Sequence, residues 1–246
     1  MKQLPVESIN NISKDIYEIK LKRDDSYKFE VGKCVAIYGE DGVTSRPYSF
    51  SGGENDDTVS FLIRELPGGV ISSYLRKLKK GDMVKISNPY GWFTPGQHED
   101  SVFIATGTGI SPFLSSIRSG KLALSRLYWG FKYKDDYLSC IKDLEKYASK
   151  VDKIYCLSQE NTMPVNEKLP QYLTYFKNYV TNLVDQDFAY EIIDKNSHFY
   201  LCGLDKMIED CRMVLLKYGV EEENIHIETF FTTEGIDASS YNSTSI

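Results

Sequence analysis

An arginine, a proline, a tyrosine and a serine stand together at Arg46, Pro47, Tyr48 and Ser49, in the run RPYSFSGG. Each has a chemistry that folding alone does not require. A guanidinium makes charge-assisted, often bidentate bonds to phosphate. A tyrosine ring lies flat against another ring. A serine hydroxyl both donates and accepts, which suits a ring nitrogen that changes its protonation. The proline removes a backbone donor and ends a hydrogen-bonded ladder. One ligand carrying a phosphate and a flat ring would account for the set. The plainer alternative is a strand edge with a surface arginine.

Two further runs could hold phosphate. GTGISPF, residues 107–113, follows an apolar strand-like run and opens a helix. Its glycines, Gly107 and Gly109 around Thr108, let the backbone approach a pyrophosphate. The helix N-terminus adds free N–H groups and the positive end of its dipole, and Pro112 fits the first helical turn. The third glycine of the usual dinucleotide fingerprint is missing, with Pro112 in its place. Alone, the run also reads as a tight strand–helix turn. LPGGVISSYL, residues 66–75, repeats the arrangement with Gly68, Gly69, Val70 and Ser72. Alone, it too reads as a glycine turn before a serine-capped helix. One dinucleotide needs one cradle, so two cradles far apart in the chain imply two dinucleotides.

The elements that must position these groups change character near residue 98. Before it, Tyr17, Ile19 and Leu21 alternate with charged residues, and residues 33–38, 58–64 and 83–86 are further β-type runs. RPYSF is placed directly after a strand. Glycine-rich or acidic turns separate the strands, and one helix spans 70–78. Short strands so spaced predict an antiparallel Greek-key barrel. After it, apolar strands at 102–105, 126–131, 153–157, 198–201 and 225–227 alternate with helical segments. That alternation predicts a parallel sheet with crossover helices. The clearest helix spans 206–218, where Met207, Ile208, Cys211, Val214, Leu215 and Tyr218 share a face. Asp205 is expected to cap its start and Gly219 its end. The expected division is a barrel domain over residues 1–97 and an α/β domain with a polar tail over 98–246, hinged at 94–100.

The chain's 246 residues suit one large domain or two of ordinary size, and 41% hydrophobic with 26% charged residues is a globular composition. No apolar run is long enough to cross a membrane, and no secretory apolar region follows Met1. A cytoplasmic protein is the expectation. The net charge of −6, with the acidic surplus beyond residue 97, argues against general nucleic-acid binding. Cys34, Cys140, Cys156, Cys202 and Cys211 are odd in number and hold no CxxC pair. A disulfide framework, a thiolate zinc site and a four-cysteine iron–sulfur cluster are therefore not expected.

Six motifs in order give the chain its resemblance to a known family. RPYSF resembles the Arg-x-Tyr-Ser flavin motif of the ferredoxin–NADP reductase superfamily. PGGVISSYLRKLKKGD resembles that family's second flavin motif. NPYGWF resembles its Gly-Pro-x-Gly-x-Phe turn, with Asn88 in place of the first glycine. GTGISPF resembles its nicotinamide-dinucleotide loop, YLCGLDKM its Cys-Gly segment, and HIETFF its carboxy-terminal glutamate–aromatic segment.

The resemblance implies roles. Arg46, Gly69 and Ser72, with Pro47, Gly68 and Val70 beside them, would hold the FAD pyrophosphate. Tyr48 would stack on the isoalloxazine, and Ser49 would bond near its N5 atom. Gly107, Thr108 and Gly109 would hold NAD(P)H, with Gly203 opposite. Cys202 would lie beside the nicotinamide carbon that gives up hydride, and Glu228 near the flavin. Ser49, Cys202 and Glu228 are thus the candidate catalytic residues. Phe231, with Phe230 as the competing choice, falls where some bacterial members place a ring over the flavin. The plainer readings are a buried core thiol for Cys202 and a strand-end surface acid for Glu228.

The sequence departs from the pattern at the 2′ position. NADPH-using members often place Ser-Arg after the third strand of the nucleotide domain; here Ser158 is followed by Gln159 and Glu160. Glu160 would repel a phosphate, whereas Lys132 and Lys134 could attract one, so the reading inclines to NADH. The implied activity is hydride transfer from NAD(P)H to FAD and then single electrons to a separate ferredoxin or flavodoxin. Arg76, Lys77, Lys79, Lys80 and Lys85 form a basic run that could steer such an acidic carrier, or simply a solvated helix face. The alternatives are a flavin or ferric reductase, the reductase component of an oxygenase, and a non-catalytic electron-transfer subunit of a larger complex.

Overall fold

A computed structural model describes the chain except residues 96, 97, 99, 122, 123, 148–151, 160–172 and 230–246. The amino-terminal sheet takes β1 (Lys2–Asn11), β2 (Ile16–Lys22), β3 (Cys34–Tyr38), β4 (Ser45–Ser49), β5 (Thr58–Arg64) and β6 (Met83–Ile86). All pairs are antiparallel, in the order β4-β3-β6-β1-β2-β5. Strand alternation decides what faces inward. Tyr17, Ile19 and Leu21 meet Val35, Ile37, Val59 and Phe61 in one core. The sheet's ends approach each other just past β4, where the Ser51 N–H donates to the Ser60 carbonyl at 2.8 Å. Helix α1 (Val70–Lys77) puts Ile71 and Leu75 into the same core.

Two features differ from the sequence reading. β1 is a strand although it holds Pro5 and is polar over most of its length, because Leu4 and Val6 point inward on alternate positions. RPYS does not follow a strand; it is one, β4, at the edge of the sheet. Pro47 is accommodated there because an edge strand has a ladder on one side only.

The second sheet takes β7 (Ser101–Thr106), β8 (Leu124–Phe131), β9 (Asp152–Leu157), β10 (Leu173–Phe176), β11 (His198–Gly203) and β12 (Ile225–Thr229). All are parallel, in the order β10-β9-β8-β7-β11-β12. Helices α2 (Ser111–Arg118) and α3 (Leu138–Tyr147) cover one face, and α4 (Val180–Ala189) and α5 (Asp205–Lys217) the other. The strand order reverses at β7. The loops leaving β7 and β11 therefore part to opposite faces and open a crevice at the strands' carboxyl ends.

Helix α5 buries Met207, Ile208, Cys211 and Leu215 as its periodicity predicts. Its start differs from expectation: Leu204 holds the cap position without a side-chain bond, and Asp205 lies in the first turn, where its charge complements the dipole. The end is closed by Gly219 at φ 78°. There the Val220 N–H donates to the Leu215 carbonyl at 3.1 Å and the Gly219 N–H to that of Leu216 at 3.0 Å.

Helix α2 joins the two sheets' domains. Its Arg118 donates to the Ser51 carbonyl at 2.8 Å and pairs with Glu18 at 3.4 Å, and Ser115 donates to the Gly52 carbonyl at 2.7 Å. Ile16, Leu62 and Phe93 enter the core between α2 and the parallel sheet. No described helix is long and apolar enough to cross a membrane.

Candidate active site

The crevice continues into the barrel as one cleft of about 1330 Å³. Arg46, Pro47, Tyr48, Ser49, Gly68, Gly69, Val70 and Ser72 form its barrel wall. Gly107, Thr108, Lys132, Ser158, Gln159 and Gly203 form the opposite wall. Gly109 and Cys202 lie behind that wall, both buried. Phe231 and its competitor Phe230 lie outside the described residues.

The barrel wall has the features a flavin dinucleotide needs. Gly68 has φ 74°, a conformation that favours glycine. A Cβ at Gly69 would meet the Ser72 hydroxyl at 2.5 Å and the Leu66 carbonyl at 3.0 Å, so a side chain here would turn Ser72 aside and press on the turn. The N-terminus of α1 follows directly and carries no side-chain cap, leaving N–H groups for an anion. The Tyr17 hydroxyl donates to the Ser72 carbonyl at 2.6 Å and fixes the helix's first turn. Arg46 is exposed, with its guanidinium donating to the neighbouring Ser45 carbonyl at 2.8 Å. Ser49 is 3% exposed; its hydroxyl lies near enough to the Glu228 carboxyl to lower that group's pKa, but it makes no well-formed hydrogen bond. A ligand heteroatom at this point of the wall would give it one.

The opposite wall is two interlocked loops. A Cβ on Gly109 would lie 2.2 Å from the Cys202 carbonyl oxygen, and one on Gly203 would lie 2.2 Å from the Thr106 hydroxyl. Thr106 in turn accepts the Leu204 N–H at 3.0 Å. Gly107 has φ 55°, and the Trp129 indole donates to its carbonyl at 3.0 Å. The GTG run therefore enters α2, whose N-terminus has no side-chain cap, from a fixed position. These features fit a second pyrophosphate.

Behind the cleft wall at Ser49, β4, β11, β3 and β12 bring Ser49, Cys202, Cys34 and Glu228 together. Cys34 faces Ser49 across the β3–β4 ladder, and Cys202 faces Glu228 across β11–β12. The Cys202 thiol donates to Glu228 Oε2 at 3.9 Å. Burial pushes the Glu228 carboxyl up to about 7, against the opposing pull of the Ser49 hydroxyl and the Cys202 thiol. Burial first, and Glu228 second, hold the Cys202 thiol well above its ordinary range and push Cys34 up to about 12. Both remain neutral thiols rather than nucleophiles.

At the outer end, the Ser158 hydroxyl donates to the Phe131 carbonyl at 3.5 Å, and the Gln159 side-chain carbonyl accepts from Tyr133 at 3.0 Å. Lys132 is exposed. Glu160 and the Lys134 side chain lie outside the described residues. Sequence reasoning missed Arg64, which lines the cleft beside Gly107 and pairs with Asp15 at 3.5 Å. It also missed Asn178, Tyr179 and Asn182 at the start of α4. Arg64 closes a strand of apolar residues and could have been noticed; the α4 residues carry no motif.

The basic run is divided. Arg76 pairs with Glu65 at 3.7 Å and lies over the Tyr17 ring, while Lys85 donates to the Gly42 carbonyl over Tyr38. Lys80 pairs with Glu7, and Lys77 and Lys79 stand exposed.

Comparison with known proteins agrees with this architecture. Residues 3–94 match the oxidoreductase FAD-binding domain family, and residues 103–213 the oxidoreductase NAD-binding domain family. The toluate 1,2-dioxygenase electron transfer component of Pseudomonas putida is 27% identical over 93% of this chain, which spans 67% of that protein. Ferredoxin–NADP reductase B of Sorangium cellulosum is 27% identical over 91% of this chain and 95% of its own length. In fold, the chain is similar to a Neisseria gonorrhoeae ferredoxin NADP+ reductase solved with FAD and NADP. That match has a TM-score of 0.77 and 18% identity, covering 94% of this chain and 98% of that one. With an FAD-binding barrel and an NAD-binding α/β domain meeting at one cleft, the chain belongs to the ferredoxin–NADP reductase-type oxidoreductases.

Proposed function

We propose that this flavoprotein takes hydride from a nicotinamide dinucleotide and passes electrons singly to a separate small protein, a ferredoxin or flavodoxin. The observation that carries the reading is the single cleft of about 1330 Å³ whose facing walls hold one glycine cradle each. Bound FAD would supply the chemistry, accepting two electrons as hydride and releasing them one at a time. The protein supplies position and a dry site. The barrel domain, ending near residue 97, holds the flavin through Arg46, Gly69, Val70 and Ser72, with Pro47 and Gly68 shaping the turn. Tyr48 forms the wall against its ring. The following domain holds the nicotinamide dinucleotide through Gly107, Thr108 and Gly203, with Gly109 keeping the loop against Cys202. Ser49 and Glu228 hold a proton at and behind the cleft wall, and neutral Cys202 fills the space beside the transferring carbon without adding charge. Lys77, Lys79 and Lys80 steer an acidic carrier, and the protein is cytoplasmic.

Ser158, Gln159 and Lys132 flank the place for the adenosine ribose. Gln159 offers no charge to a 2′-phosphate, which favours NADH. The test is anaerobic mixing of the FAD-loaded protein with NADH and NADPH in parallel. Rapid bleaching of the flavin band is expected with both, faster with NADH; no bleaching by either would overturn the hydride reading. Arg46→Ala is expected to raise the FAD dissociation constant roughly 10- to 100-fold, the cost of a charge-assisted bond. Retention of FAD through gel filtration of dilute protein would remove Arg46 from the pyrophosphate. A second reading, the reductase of an oxygenase, is favoured by the likeness to the toluate dioxygenase component. Cytochrome or ferredoxin reduction that does not weaken with salt would favour it over a steered ferredoxin.

A further inference from the structure

The chain has three histidines, His98, His198 and His226, and hydride transfer uses none of them. Tertiary structure nevertheless brings all three together. His198 opens β11, His226 lies in β12, and His98 sits in the connection that leads into β7. The strand registers explain the meeting. His198 lies level with Ser101 of β7, and His226 lies level with Tyr200 of β11. The cluster is therefore at the amino ends of the strands, away from the cleft at their carboxyl ends.

One ring nitrogen from each histidine lies within 4.8 Å of the other two. His198 Nδ1 and His226 Nε2 are 3.1 Å apart. The His98 ring stacks on His198 with centroids 3.6 Å apart, and Tyr200 backs the His226 ring at 4.5 Å. All three side chains are half-buried. Burial and the neighbouring imidazoles hold His198 and His226 below the usual histidine range.

A hydrogen bond joins His198 to His226, and stacking holds the His98 ring beside them. Three imidazoles with ring nitrogens this close also form a ligand set for one metal ion. Tetrahedral zinc with nitrogen ligands at about 2.0–2.1 Å sets those nitrogens roughly 3.3 Å apart. The His198–His226 pair already has that spacing, and a turn of the His98 ring about its side-chain bonds would supply the third ligand. We propose that His98, His198 and His226 bind one divalent transition metal of the zinc type, with water completing the shell. Imidazole is the ligand such ions accept. The ion would tie the interdomain connection to β11 and to the edge strand β12. His226 precedes Glu228 by two residues on that strand, so the site anchors the strand that carries Glu228 to the cleft.

The test uses the full-length, FAD-loaded protein without a histidine tag, freed of metal by chelator dialysis. Zn2+ is titrated in competition with a chromophoric chelator. The expected result is one equivalent per chain at micromolar or tighter affinity. His98→Ala, His198→Ala and His226→Ala should each weaken it at least tenfold while the flavin spectrum is unchanged. No saturable binding, or binding unaffected by these changes, would overturn the site. If the variants misfold, the wild-type imidazole nitrogen resonances decide, since the chain has no other histidine. All three must shift together on adding one equivalent of Zn2+; resonances that stay in place overturn the proposal.

Discussion

Gly109→Ala is expected to cripple nicotinamide binding while leaving FAD in place. Gly109 is required for close approach rather than for its backbone angle. Its added methyl would overlap the Cys202 carbonyl oxygen at 2.2 Å and the Gly203 Cα at 2.7 Å. Both are backbone atoms, so no side chain can swing aside. Either the GTG loop or the Cys202–Gly203 turn must move. Overpacking of this kind costs about 1–3 kcal/mol, a fall in melting temperature of roughly 2–4 °C per kcal/mol for a chain of this size. The functional loss should be larger, because a displacement of about 1 Å between reacting groups can cost about 100-fold in rate. Stopped-flow reduction should slow by about that factor, with the flavin-to-protein ratio unchanged. Gly107→Ala is the control. Its Cβ would meet side-chain ends alone, the Tyr137 hydroxyl at 3.3 Å and Arg64 Nη1 at 3.9 Å, and its cost comes from a backbone φ of 55°. An equal effect of the two changes would refute the close-packing account of Gly109.

Glu228→Gln should remove an ionisation near neutrality. Burial holds the Glu228 carboxyl protonated up to about 7, against an ordinary 4.5. A glutamine mimics the protonated form in shape but cannot release the proton. Flavin reoxidation by a one-electron acceptor should therefore depend on pH with a midpoint near 7 in the wild type, and be flat and roughly 10- to 100-fold slower in the variant. Chelator-treated buffer keeps the neighbouring histidines free of metal. Stability gives an independent readout. The folded state holds the proton to about 7 and the unfolded chain releases it near 4.5. The stabilisation is full below 4.5, falls through this window, and is gone above 7. One pKa unit corresponds to about 1.4 kcal/mol, so the loss is at most about 3.5 kcal/mol, less the share that water retains at a half-buried group. Glu228→Gln should abolish that slope; a slope that persists would assign it to another group.

Much of the fold was written locally. The 3.6-residue spacing of Met207, Ile208, Cys211 and Leu215 and the two-residue spacing of Tyr17, Ile19 and Leu21 each depend on near neighbours alone. The cradles were legible for the same reason: a glycine turn followed by a helix start is a short-range device, and Gly68, Gly69 and Gly107 act within a few residues of their own helix. β1 was not legible because its two inward residues are set among polar ones, and only pairing with β2 and β6 makes it a strand.

Legible in the sequence alone were two domains, two glycine turns that open helices, and RPYS as a run whose residue types suit a phosphate and a ring. Tertiary structure decided which of these meet. Cys202 and Glu228 become partners through the β11–β12 register, and Ser49 joins them because α2 docks on the barrel through Arg118 and Ser115. Gly109 is indispensable because of Cys202, a residue ninety-three positions away. The three histidines, which carry no motif, converge only when parallel strands align their amino ends. Contacts between distant segments depend on register and on which faces the helices cover, and neither is encoded in any one stretch of chain.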